Sequence, residues 1–174
     1  MKKLVSVACY VGLVVAIGCA ESTAPSNPVT STPAVDGSKY LVAQEPEGAQ
    51  NVITVREAAE KGDDVLIVGR IGGGANPWVE GRAAFTLVDQ SLRACSDIPG
   101  DQCQTPWDYC CETPRLPTST ALVKVVDENG ELIKSDAREL LNVKELDTVV
   151  VKGKAQRDDS GNLTVLAQGV YVKK

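Results

Sequence analysis

Five short apolar runs, each closed off by turn-forming residues, leave this chain few options besides a small β architecture. They occupy residues 65–71, 83–89, 121–126, 148–155 and 163–167. Each has strand length and the β-branched content that suits a pleated, half-buried surface. The stretch 158–162 joins the last two runs and carries Gly161 and Asn162, which tolerate the positive φ of a tight turn, so it predicts a hairpin. Short helices are expected over residues 55–61, before the first run, and around 135–146, between the third and fourth. In the second of these, Asp136 followed by Glu139 predicts a variant of the capping box. Residues 48–174 suffice for one domain with a real core and are too few for two.

A helix between the third and fourth of five strands is the order of an OB-fold barrel. The wording of the strands resembles that family as well. The segment 65–69, followed after a loop by Phe85-Thr86-Leu87-Val88-Asp89, is similar to the V-x-V-x-G … F-x-L-x-D opening of many OB domains. Residues 147–153 resemble their fourth strand and 163–172 their fifth. The resemblance spans residues 64–172 and implies a mainly β, five-stranded OB-like barrel with one or two short helices. A β-sandwich or an unrelated small barrel is the competing fold, because short strands with turn signals serve all of them.

The departure from that pattern is an insertion at residues 91–118, between the second and third strands. It holds Cys95, Cys103, Cys110 and Cys111, with Trp107 and Tyr109 beside the last pair. Three readings fit these thiols. In an oxidising compartment they form two disulfides. A bond between adjacent Cys110 and Cys111 would be strained, which leaves Cys95–Cys110 with Cys103–Cys111, or Cys95–Cys111 with Cys103–Cys110. Each closure would contribute about 2–4 kcal/mol. Alternatively, four thiolates satisfy a tetrahedral metal centre such as zinc, an iron–sulfur cluster or soft copper. Against this, the spacing C-x7-C-x6-C-C lacks paired C-x2-C knuckles. The third reading, a redox-active pair, lacks both a C-x-x-C spacing and a nearby lysine or histidine to activate a thiol.

The N-terminus states a location. Met1-Lys2-Lys3 leads into an apolar stretch, residues 4–17, and small residues precede Cys19. That is the grammar of an export signal, and the stretch is shorter than the about 20 apolar residues that span a bilayer. Ala16-Ile17-Gly18-Cys19 resembles a bacterial lipobox, which implies a signal peptide over 1–18 and a diacylglyceryl group on the Cys19 thiol. Ala16 stands where that pattern favours Leu, so ordinary cleavage nearby, after Ala20, is the alternative. The stretch 19–47 is rich in Ser, Thr, Pro and Ala and predicts a disordered tether. Ala20 rather than Asp follows Cys19, so the expected destination is the outer rather than the inner membrane, facing periplasm or exterior.

Charge and composition then exclude partners and chemistries. The net charge is −5, and an acidic surface disfavours a phosphate-backbone ligand, so the nucleic-acid binding of other OB proteins is not expected. The chain has no histidine, which removes histidine-based catalytic triads, general bases and imidazole metal sites. An enzyme is not expected, and neither is a resident cofactor unless the thiols hold a metal. Trp78, Trp107 and Tyr109 lie in loops and form a candidate contact surface; the alternative is that they fold back to plug the barrel. These features predict a lipid-anchored envelope module that binds a ligand or another envelope protein through a disulfide-stapled barrel. The competing expectation is a metal-binding or redox-active envelope protein whose cysteines do the work.

Overall fold

The computed structural model describes residues 35–174. The expected signal peptide, Cys19 and the expected tether up to residue 34 lie outside the described residues. Among the described residues there are six strands and three short α-helices: β1 (Gln50–Asn51), α1 (Val52–Ala58), β2 (Asp64–Ile71), β3 (Ala84–Val88), α2 (Leu116–Ser119), β4 (Thr120–Val125), α3 (Ala137–Leu141), β5 (Thr148–Arg157) and β6 (Leu163–Val172). Strands β2 to β6 coincide with the five apolar runs.

The strands close into a mixed barrel in the order β2-β3-β4-β6-β5, with β5 returning to pair with β2. All neighbours are antiparallel except β4 and β6, whose parallel register runs from Leu122 opposite Thr164 to Val125 opposite Ala167. This is an OB-like barrel, and its interior is filled by Ile67, Phe85, Leu87, Val123, Val151 and Val165, among others. The β5–β6 hairpin bends at a register shift between Lys152 and Gly153. A side chain at Gly153 would collide with the Leu166 carbonyl, so only glycine permits the two backbones to approach there. The turn itself is held by Asp158, whose Oδ1 accepts from the Ser160 and Asn162 amides at 2.9 Å each.

The helices are shifted from the sequence expectation for identifiable reasons. Helix α1 begins at Val52, because the buried Asp89 carboxylate accepts the Ile53 amide at 2.8 Å. A cap supplied from so far along the chain leaves no local signature. Helix α3 covers only Ala137–Leu141, since Asn142 (φ 51°) turns left-handed directly after it. Its N-cap is Asp136, as expected, but the carboxylate accepts from the Arg138 amide and Glu139 makes no reciprocal bond. Ala137, Leu140 and Leu141 belong to the barrel core.

One boundary differs. Residues 35–47, assigned by composition to the tether, lie against the barrel: Tyr40 is buried in its core and the Val42 amide donates to the Val170 carbonyl at 2.9 Å. Tyr40-Leu41-Val42 is an apolar triplet within a polar stretch, and burying its tyrosine offsets the ordering cost that its neighbours alone could not. The two-residue β1 then pairs in parallel with β2, where β2 has no β3 partner. No helix among the described residues is long and apolar enough to cross a membrane.

Candidate functional site

The insertion sits between β3 and β4, the second and third barrel strands, as its sequence position predicts. It has a small core of its own, separate from that of the barrel: Val88, Leu92, Ala94 and Tyr109, flanked by Leu116 and Leu146. Tyr109 is fully buried, and its ring lies over the backbone of the loop after β2. A Cβ at Gly72 would stand 2.8 Å from the ring and 2.9 Å from the Trp107 carbonyl. The first glycine of the triple-glycine run is therefore a packing requirement. Two polar ties complete the docking. Arg70, on β2, forms an ion pair with Asp97 at 2.5 Å, and Trp107 Nε1 donates to the Ala75 carbonyl at 3.0 Å.

Within this frame the chain doubles back on itself. The Cys95 amide donates to the Asp108 carbonyl at 2.8 Å, and the Ser96 amide to that of Pro106 at 2.9 Å. The Asp97 carboxylate accepts the Ala94 amide at 3.0 Å and tightens the turn that carries Cys95. As a result the sulfurs of Cys95, Cys103 and Cys110 all lie within 4.8 Å of one another. Cys95 and Cys110 are 3.3 Å apart. Cys111 lies outside that group, its sulfur 4.0 Å from that of Cys110. Cys95 is buried, Cys103 half-buried, and Cys110 and Cys111 are exposed, so the cluster runs from the interior of the insertion to its surface.

The environments of the three differ. Burial, and after it the hydrogen bond to Cys110, pushes the Cys95 thiol up to about 12. At Cys103 the Thr105 hydroxyl, 3.4 Å from the sulfur, holds the thiol below its ordinary value. Cys110 is drawn down by its bond to Cys95, but Cys111 and desolvation by the neighbouring groups outweigh this and leave it raised. The nearby guanidinium groups are all directed at oxygen: Arg70 at Asp97, Arg93 at the Asp97 carbonyl, and Arg115 at Glu112 and Ser91.

The aromatic residues are distributed otherwise than a contact surface requires. Trp78 is buried against Phe85, with ring centroids 6.0 Å apart, and its Nε1 donates to Glu145 at 2.6 Å. Arg138 covers its ring. Trp78 belongs to the barrel core and Tyr109 to that of the insertion, while Trp107 is half-buried. The fold thus uses the first two as packing. The residues that sequence reasoning missed are Arg70, Asp97 and Gly72, which aim and seat the insertion. The partners of Arg70 and Gly72 lie far along the chain, so nothing local tells what either one meets.

The molecule is an OB-like barrel whose distinguishing feature is a separately packed insertion presenting clustered thiols. No protein-family model matches the chain, and no curated protein matches it.

Proposed function

We propose that the protein is an envelope-anchored binding module whose working part is the insertion, where Cys95, Cys103 and Cys110 hold a thiophilic metal ion, zinc being the first to test. The carrying observation is the convergence of three sulfurs within 4.8 Å. A disulfide needs only two. With Zn–S bonds of about 2.3 Å, tetrahedral sulfurs stand about 3.8 Å apart, a spacing that small side-chain rotations reach from here. Three protein ligands leave one position open, as in zinc sites that exchange or bind a further ligand rather than serve structure alone. Cys110, at the surface, gives the ion a path inward. The acidic chain and its lack of histidine are consistent with a site built wholly on thiolates. The lipobox-like Ala16–Cys19 supports an envelope location with a lipid anchor.

A second reading, a permanent disulfide staple, is favoured by the 3.3 Å between Cys95 and Cys110. The deciding experiment is zinc titration of the reduced full chain with Cys95→Ser, Cys103→Ser, Cys110→Ser and Cys111→Ser variants. One zinc per chain is expected, lost in the first three variants and kept in the fourth. No zinc uptake by the reduced protein would overturn the metal reading in favour of the staple.

A further inference from the structure

The sulfur that reaches solvent and the sulfur at the base of the cluster are also the closest pair. Cys110 is exposed, Cys95 is buried, and their 3.3 Å separation is little more than 1 Å longer than a disulfide bond. Cys103, within 4.8 Å of both, is the sulfur left over. Resting on the metal reading above, we propose that Cys95 and Cys110 close into a disulfide that dismantles the metal site, so that metal occupancy follows the thiol–disulfide state of the compartment.

The oxidant is a disulfide-bearing protein or small molecule, and exposure sets the order of steps. The Cys110 thiolate attacks one donor sulfur, breaking the donor S–S bond and releasing one donor thiolate, which takes up a proton. Cys95 then attacks Cys110 in the mixed disulfide. The Cys95–Cys110 bond forms, the bond to the donor breaks, and the second donor thiolate leaves with the Cys95 proton. Two thiols are oxidised and one donor disulfide is reduced to two thiols, so two electrons and two protons pass outward. The second step is intramolecular between sulfurs already 3.3 Å apart, and that proximity favours it.

The same pair supplies two of three metal ligands, so disulfide and ion compete for the same sulfurs. A disulfide sulfur has lost the thiolate charge on which zinc affinity depends, and Cys103 alone does not make a site. The barrel provides the rigid support. Arg70–Asp97 and the packed Tyr109 ring hold the turn carrying Cys95 in place in both states, so closure needs movement only near Cys110.

The test uses the full chain reduced with a phosphine, then equilibrated with oxidised glutathione, with peptide mapping by mass spectrometry and zinc binding followed in parallel. The expected result is a Cys95–Cys110 linkage with loss of stoichiometric zinc binding, restored on reduction, and slower oxidation of zinc-loaded protein. Cys103→Ser separates the two ideas: it should lose zinc yet still form the Cys95–Cys110 bond. A different linkage would overturn the inference while leaving the metal site standing, whereas zinc retained after the Cys95–Cys110 bond has formed would overturn both, because those sulfurs would then not be its ligands. Absence of zinc binding by the reduced protein would overturn both.

Discussion

The barrel and the insertion reach order by different routes. In the barrel, β2 to β6 are laced edge to edge into a closed ring, and a continuous apolar interior runs from Ile67 to Val165. Across residues 91–118 there are only short helical turns, at Cys95–Asp97, at Cys110–Glu112 and at α2. Its docking on the barrel rests on a few particular contacts: the buried Tyr109 ring, the Arg70–Asp97 ion pair and the Trp107 indole hydrogen bond. A region assembled this way opens at lower cost than a closed barrel. That suits a segment whose thiols must meet a metal or a disulfide donor, with the barrel as its fixed reference.

The sharpest way to break this contrast is to remove one anchor from each core. Phe85→Ala in the barrel should cost about 3–5 kcal/mol and bring down barrel and insertion together, read as a single shifted denaturant transition. Tyr109→Ala removes a comparable volume, but from the cluster that seats the insertion on Val88 of β3 and the loop at Gly72, outside the barrel interior. Zinc binding and amide protection across residues 91–118 should be lost while β2 to β6 keep theirs by hydrogen exchange. Equal loss of protection in the barrel would mean that the two regions form one cooperative unit.

The same contrast separates what the sequence reveals from what it hides. The barrel was legible because alternation, turn residues and strand order are local signals: 148–155 and 163–167 announce themselves, and Asp158 with Gly161 marks their join. The candidate site was legible in composition but not in geometry. Four cysteines in one loop stand out, yet nothing local says that Cys103 joins Cys95 and Cys110 while Cys111 stays outside. That outcome is set by hydrogen bonds such as Cys95 to Asp108 and by Arg70 reaching across to Asp97, contacts between residues far apart along the chain. Tyr109 turns on a related point. The sequence leaves a contact surface and inward packing both open for the loop aromatics, and the bare backbone at Gly72 gives the Tyr109 ring a place to be buried.

Smaller perturbations sharpen the comparison. In the barrel's helix α3, Asp136→Ala should cost about 1 kcal/mol at neutral pH, the usual worth of an N-cap. The Asp136 carboxyl is held below its ordinary range chiefly by its side-chain bonds to Arg138, with the Arg138 amide adding to this and burial partly opposing. A carboxyl depressed on folding stabilises the native state above its unfolded pKa of about 3.9. That stabilisation fades as pH falls through the lower, folded value. Melting curves of the protein and of Asp136→Ala should therefore differ at pH 7 and converge in strong acid. A difference that persists there would assign the effect to packing rather than to the carboxylate.

Arg70→Met is the smallest change and the most discriminating. The ion pair with Asp97 is partly exposed on both sides, and such pairs contribute about 0–1 kcal/mol. Methionine keeps much of the aliphatic stem that lies along β2, so global stability should barely move. The insertion, however, loses its lateral tie, and the Ala94 amide held by Asp97 marks the place to look. Its hydrogen exchange should accelerate, and zinc affinity should fall, while barrel amides are unchanged. If the global transition instead moved as far as in Asp136→Ala, Arg70 would be part of the barrel's own stability. The insertion's docking would then rest on the Tyr109 ring and the Trp107 indole hydrogen bond.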